Sequence, residues 1–359
     1  MKLSVIIVSY NARYYLEQCL HSVLKALENI DGEIIVFDND SPEMPVSKIK
    51  HKFPTVIFVE SNENLGFARA NNAAVDMAKG EYVLILNPDT MLPENLFEKV
   101  LVYADTISDL GALGVRMIDC NGRFHPESKR NIPGFKNTFG KLFFSFFSPK
   151  HSGTYYKSSV GEFENAPVEV LTGAFMLIRN SVYRQLGGFD ESYFMYGEDI
   201  DLSYTLLLNG YKNHYFGEST IIHYKGESTR KDVKYLRRFF GAMQIFVAKY
   251  YRSKPFRYFI FQLGLLVRYR IARLLGFFKK EDKVEKVELT IDSMQRIRSV
   301  DEIQKETAQI LLDGSDFSNQ QMIELISQYH QEDRKFYIQP KEMEVIVGDS
   351  VVIQLNESN

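Results

Sequence analysis

Cysteine is scarce in this chain: Cys19 and Cys120 are the only two in 359 residues. That excludes a disulfide framework and fits a reducing compartment. Long apolar runs are missing as well. No stretch approaches the roughly 18 uncharged apolar residues of a spanning helix. The best candidate, 258–267, is closed off by Arg257 and Arg268. The apolar run after Met1-Lys2 is too short for a signal-peptide core and reads instead as a strand. Glycine-rich phosphate loops are absent too, both the Walker type and a Gly-x-Gly-x-x-Gly after the first strand. The net charge of −3 argues neither for nor against nucleic acid. A cytoplasmic protein without a spanning segment is the expectation.

What the chain does have is ample apolar material, 45% of its residues, and a regular alternation over the first hundred. Leu3–Ser9, 33–37, 56–60 and Tyr82–Leu86 read as strands, and 14–27 and 66–79 have helical spacing. This order predicts an α/β fold with a Rossmann-like, doubly wound, mostly parallel sheet and right-handed crossovers. Each strand runs into a polar loop: Ser9-Tyr10-Asn11, Asp38-Asn39-Asp40-Ser41, 62–66 ending at Gly66, and Asn87-Pro88-Asp89. Open α/β sheets bind ligands at this edge. Without a phosphate loop, a nucleotide diphosphate here needs its charge offset otherwise, and a divalent cation on Asp89 would do that through hard oxygen ligands.

Downstream, 168–178 resumes the sheet and is interrupted by Thr172-Gly173-Ala174, where backbone can approach a ligand closely. Glu198-Asp199-Ile200-Asp201 follows an aromatic run and leads into a helix. Two acidic sites, one for a metal and one for a base, suit group transfer from a phosphorylated donor. Each acid also has a plainer reading. Asp89 can cap a helix starting near Pro93, and either Asp199 or Asp201 can be the N-cap of the helix that follows. His223, after the strand-like Thr220-Ile221-Ile222, reads either as a ligand or as a satisfied core histidine.

The small net charge hides an asymmetry. Residues 228–280 carry 14 Lys or Arg against Asp232 alone, a local +13, which leaves −16 on the remainder. Two helices separated near Pro255 are expected here, with basic residues interleaved with Phe, Tyr, Leu and Ile. That pattern suits an anionic membrane surface, with Phe259, Phe261, Leu265 and Leu266 as inserting residues. A solvated helix face is the plainer alternative. No recognition motif accompanies the charge, so nucleic acid is not expected. The apolar cluster at 139–147 reads equally as a core helix or as an acceptor or membrane surface. Behind a charged linker at 279–286, strand-like segments at 287–291, 309–312 and 335–338 alternate with helical patterns at 300–307 and 319–329. The three units expected are therefore 1–227, catalytic; 228–280, basic and amphipathic; and 281–359, a small βαβαβ-like accessory subdomain for regulation or assembly, homo-oligomers included.

Five ordered segments resemble the family 2 glycosyltransferases of GT-A fold: Ser4 to Asn11, Phe37 to Ser41, Asn62 to Asn72, Leu86-Asn87-Pro88-Asp89, and Thr172-Gly173-Ala174 through Leu202. The fourth is similar to the metal-binding Asp-x-Asp element as it occurs in rhamnosyltransferase-like members. The resemblance covers about residues 1–225. It implies that Ser9, Asn11, Asp38, Gly66, Asn87 and Asp89 hold a nucleotide-diphosphate sugar. It also implies that Asp89 and His223 share Mg²⁺ or Mn²⁺, and that Thr172, Gly173 and Glu198 lie on the acceptor side. Asp199 is then the general base of an inverting transfer, possible sugar rhamnose, to a lipid-linked glycan at the inner membrane face. Asn87 departs from the family pattern, standing where many members carry Asp. Rival readings are a nucleotidyltransferase of the same fold and a non-catalytic scaffold.

Overall fold

The computed structural model describes residues 1–133, 156–224, 233–278, 293–303, 307–331, 333–349 and 351–355. The cluster at 139–147, the linker at 279–286 and the expected strand at 287–291 lie outside them.

The N-terminal part of the chain is built on a nine-stranded sheet. Its first four strands are β1 (Leu3–Ser9), β2 (Gly32–Asp38), β3 (Ile57–Glu60) and β4 (Tyr82–Leu86), followed by β5 (Thr90–Met91) and β6 (Leu110–Ile118). Then come β7 (Ala166–Val168), β8 (Phe175–Arg179) and β9 (Lys212–His223). The spatial order is β3-β2-β1-β4-β8-β6-β9-β5, with β7 also on β9. β1, β2, β3, β4, β6 and β9 run one way, and β5, β7 and β8 run against them. The doubly wound, mostly parallel expectation therefore holds.

Both faces of this sheet are covered, which is why β1 is buried along its whole length. One face packs on helices α1 (Arg13–Ala26) and, after α2 (Phe67–Val75), α3 (Leu96–Asp105), through Leu16, Leu20, Val23, Phe97 and Val100. The other packs on α2 and, after α4 (Asn180–Gln185), α5 (Glu198–Leu208), through Ala70, Ala74, Tyr183, Leu202 and Leu206. The helix expected over 66–79 is shorter: Gly66, at φ +80°, lies outside it, and it closes at Val75.

Two long helices follow, α6 (Val233–Tyr251) and α7 (Pro255–Phe278). They pack on each other through Phe240, Val247, Phe261 and Leu265. This corrects part of the membrane expectation, because Phe261 and Leu265 are 2% and 4% exposed and cannot insert anywhere else. Phe256, Phe259, Leu263, Leu266, Val267 and Leu274 are the exposed apolar residues of α7. No helix among the described residues is long and apolar enough to cross a membrane.

The C-terminal sheet has five strands in sequential order: β10 (Gln295–Ile297), β11 (Gln309–Asp313), β12 (Lys335–Gln339), β13 (Val345–Gly348) and β14 (Val351–Gln354). β10 to β12 are parallel, while β12 to β14 are antiparallel, so the simple βαβαβ expectation fails at a terminal hairpin. The helical pattern over 300–307 yields only a 3₁₀ turn at Val300–Glu302, with 304–306 outside the described residues. Helix α8 (Asn319–Gln328) forms as expected, started by a reciprocal capping box between Ser318 and Gln321. This tail is not loosely attached. Ile297, Ile323, Ile326 and Phe336 share one core with Tyr15, Met91, Ile118 and Ile222 of the nine-stranded part.

Candidate active site

The edge at which β1, β2 and β4 end gathers the predicted residues. Ser9 and Asp38 close β1 and β2 in register, and Asn39 N–H donates to the Ser9 carbonyl at 2.9 Å. Asp38 is buried, with Oδ2 accepting from Val46 N–H at 3.2 Å and Oδ1 unpartnered. Ser9 Oγ is likewise buried and unpartnered. Two orphaned polar atoms at a strand edge are an unmet demand that a nucleoside can satisfy. Asn11 sits at φ +51°, its Oδ1 accepting from the backbone of Glu43 and Met44, so it shapes the loop that walls this edge.

Gly66 is required by conformation and by space. A Cβ there would meet the Phe194 carbonyl oxygen at 2.3 Å, in a backbone region that favours glycine. The adjacent Phe67 N–H donates to that carbonyl at 2.7 Å. The third donor-side loop is thereby tied to the aromatic run before α5. Asn39 completes the tie, donating to Asn64 and to the Gly66 carbonyl and accepting from Leu65 N–H. Sequence reasoning placed Asn39 in a polar loop but assigned it nothing.

Asp89 and His223 lie side by side. His223 Nε2 is 3.4 Å from Asp89 Oδ1 and 3.3 Å from the Asn87 amide. β5 turns the chain so that Thr90 pairs with His223, and Tyr224 N–H donates to the Asp89 carbonyl. Burial alone would raise the Asp89 carboxyl. The neighbouring His223, backbone donation and His125 outweigh it and hold the carboxyl below its ordinary range. His125, unforeseen from sequence, contacts the His223 carbonyl through Nε2 at 3.0 Å. Among the described residues no three His, Cys, Asp or Glu side chains form a closed metal cluster. Asp89 and His223, with the Asn87 side-chain oxygen, offer only part of a coordination shell, so a divalent cation held here would have to fill its other positions from a diphosphate and water.

Asp199 lies on the other side of the same cleft floor. Asn87 N–H donates to the Ala174 carbonyl at 3.0 Å, and Gly173 N–H donates to Asp199 Oδ2 at 3.3 Å. Those two bonds connect the metal side to the second acid through the Thr172-Gly173-Ala174 break. Arg130 Nη2 also donates to Asp199 Oδ2, at 2.6 Å, and to the Leu171 carbonyl. Arg130 was missed because it lies in a segment that reads as loop, and only its antiparallel bridge to Val170 brings it here. Glu198, expected on the acceptor side, is buried with Oε2 unpartnered. Burial first, then the adjacent Asp199, push its carboxyl up to about 8, against backbone donation and Arg130. One carboxyl of the pair is thus kept neutral while Asp199 pairs with arginine. Tyr196 at φ +73° and Gly197 at φ +87° aim α5 into the cleft. Asn11, Asp40 and Tyr196, the non-glycine residues at positive φ among those described, all lie in these site loops.

The profile of Glycosyl transferase family 2 matches residues 4–187, just over half of the chain. The chain belongs to glycosyl transferase family 2. Family 2 relatives include the N-acetylglucosaminyl-diphospho-decaprenol L-rhamnosyltransferase of Mycobacterium tuberculosis, 29% identical over 64% of this chain and 78% of that protein. The rhamnosyltransferase WbbL of Escherichia coli is 28% identical over 63% of this chain and 84% of that one. Among solved structures, the Pyrobaculum calidifontis mannosyltransferase PcManGT, in complex with GDP-Man and Mn²⁺, matches at 20% identity. Its TM-score is 0.48, and the match covers 70% of this chain and 64% of that one. This family 2 chain is accordingly a glycosyltransferase.

Proposed function

We propose that the protein is an inverting, metal-dependent transferase that moves a sugar, rhamnose by preference, from a nucleotide-diphosphate donor to a hydroxyl of a lipid-linked glycan. The observation that carries this reading is the pair of acidic centres joined through Asn87–Ala174 and Gly173–Asp199. Ser9 and Asp38 bind and orient the nucleoside end, and Asn39 holds the adjoining loop in place. Asp89, His223 and Asn87 would hold Mg²⁺ or Mn²⁺, which when bound offsets the charge on the departing diphosphate. Asp199 takes the proton from the acceptor hydroxyl as its oxygen bonds to the anomeric carbon. The bond from that carbon to the diphosphate oxygen breaks, and its electron pair leaves with the diphosphate. A single displacement of this kind inverts the anomeric centre. Arg130 and Gly173 N–H fix Asp199 Oδ2, while Oδ1 accepts from Ile200 N–H at 2.8 Å and has a second lone pair to offer the acceptor proton. Rhamnose is supported by the names of both relatives, and a diphospholipid-linked acceptor by that of the Mycobacterium tuberculosis relative.

We take 1–227 as the catalytic unit, 228–280 as the surface that meets the inner, anionic face of the cell membrane, and 281–359 as accessory. Exposed Phe256, Phe259, Leu263 and Leu266 beside Arg268, Arg270 and Arg273 support that docking. The test is transfer from dTDP-rhamnose to an N-acetylglucosaminyl-diphospholipid with Mn²⁺, with and without chelator. Activity that is lost on chelation and restored by Mn²⁺ is expected. Turnover unaffected by chelator, or none from any nucleotide sugar, would sink the reading.

A further inference from the structure

A groove of about 480 Å³ lies between α6 and the loop Ser192-Tyr193-Phe194-Met195. None of the catalytic residues above lines it. One wall carries Lys234, Arg237 and Arg238, and the other is Tyr193, Phe194 and Met195, with Gly241, Ala242 and Ile245 beneath. The three cations stand at i, i+3 and i+4 of one helix, hence on one face. Among the described residues no carboxylate lines the groove. Arg238 lies over the Phe194 ring at 4.3 Å, which orients its guanidinium on the aromatic wall. A groove with three cations on one side and an aromatic, aliphatic wall on the other complements an amphiphilic anion. A diphosphate presents paired oxygens that match arginine forks and a lysine.

Its position ties it to the reaction. The wall residues Tyr193 to Met195 run through Tyr196 and Gly197 directly into Asp199, and Tyr193 donates to Asp201 at 3.3 Å. The Phe194 carbonyl also receives Phe67 N–H at the donor side. A ligand held in this groove therefore sits on the segment that aims the base.

We propose that the groove is the subsite for the diphosphate and first isoprenoid carbons of the lipid-linked acceptor. The proposal deepens the transferase reading and rests on it for the acceptor's identity.

The probe is farnesyl diphosphate, titrated by calorimetry into the full chain with chelator present, so that no metal-held diphosphate contributes. Saturable binding is expected, tighter than that of inorganic pyrophosphate or farnesol. K234Q/R237Q/R238Q should weaken it at least tenfold. R252Q/K254Q/R257Q removes the same charge from exposed positions outside the groove and should change it less than twofold. Gly241 has open space where a Cβ would stand, so Gly241→Leu fills the groove without a clash. Leucine is also the better helix former, so this variant should melt no lower than the parent and yet lose binding. Equal losses from the two triple variants would overturn the proposal in favour of a diffuse basic field. So would pyrophosphate binding as tightly as farnesyl diphosphate, or Gly241→Leu binding normally. A chain that binds farnesyl diphosphate this way but transfers no sugar upholds the groove and refutes the transferase reading. Normal transfer with no loss in the K234Q/R237Q/R238Q variant does the reverse.

Discussion

At the residue scale, the two adjacent acids Glu198 and Asp199 have opposite surroundings. Asp199 is held by Arg130 and by Gly173 N–H, while Glu198 is buried with an orphaned oxygen. Asp199→Asn keeps the shape and removes the proton acceptor, so kcat should fall by about 10² to 10⁴ with donor affinity unchanged. Arg130→Met should lower kcat at least tenfold by freeing the carboxylate, and Arg130→Lys should recover only part, since an ammonium lacks the planar fork. Steady-state kinetics of the three variants decides this, and an Arg130→Met enzyme with normal kcat would make the ion pair merely structural. Glu198 yields a pH prediction of definite sign. Its folded carboxyl is raised, so its favourable share of stability is complete below about pH 4.5 and is lost as pH rises towards 8. Glu198→Gln removes that loss. Its melting temperature relative to wild type should therefore improve by a few degrees between pH 5 and pH 8. A difference independent of pH would refute the buried, protonated state.

At the element scale, α6 is fastened to α5 by a polar knot rather than by apolar packing alone. Asp201 is buried and accepts from Tyr250 at 2.8 Å, Tyr193 at 3.3 Å and Lys249 at 2.9 Å, and Lys249 also reaches Asp190 at 2.6 Å. The strong pairing with both carboxylates keeps the Lys249 ammonium above its ordinary range despite burial. Among the described residues Lys249 of the basic stretch is thus held by the protein's own acids, while Lys234, Arg237 and Arg238 line the groove. Asp201→Ala removes the acceptor of the Tyr193 hydroxyl and one of two partners from each of Tyr250, which keeps Thr205, and Lys249, which keeps Asp190, and should cost about 1–3 kcal/mol in chemical denaturation. A loss under about 0.5 kcal/mol would mean that apolar contacts such as Phe246 on Ile200 hold α6 alone.

At the scale of the whole molecule, the tail braces the Asp89–His223 side of the site. Glu94 accepts from the first two N–H groups of α8, at 2.7 and 2.9 Å, which satisfies a helix N-terminus across the interface. His330 and Phe336 bond to Asn121, and Arg116 reaches Ser327. Removing residues 284–359 uncovers Tyr15, Met91, Ile118, Ile222 and Tyr224, adjoining β5 and His223. Each such side chain is worth about 1.5–3 kcal/mol when buried. The truncated chain should melt at least 10 °C lower, or aggregate, as read by circular dichroism and gel filtration. An equally stable truncation would restore the picture of an independent appendage.

The limits of the β1 to β4 strands and the long helices were legible in the amino-acid order, because burial on both faces leaves continuous apolar runs and helical spacing is periodic. So were the polar loops at one sheet edge, since strand ends in such a sheet must turn there. The tertiary structure alone decided which distant groups meet them. Arg130 reaches Asp199 through a β-bridge 40 residues away in sequence at Val170, and His223 reaches Asp89 because β9 runs beside β5. It also decided which apolar residues of α7 are free, since a helix that packs on one neighbour hides Phe261 and Leu265 while leaving Phe259 in solvent. Periodicity marks the apolar positions of a helix. Only the packing partner selects which of them are spent on the core, and that choice is a property of three-dimensional contact that no local pattern carries.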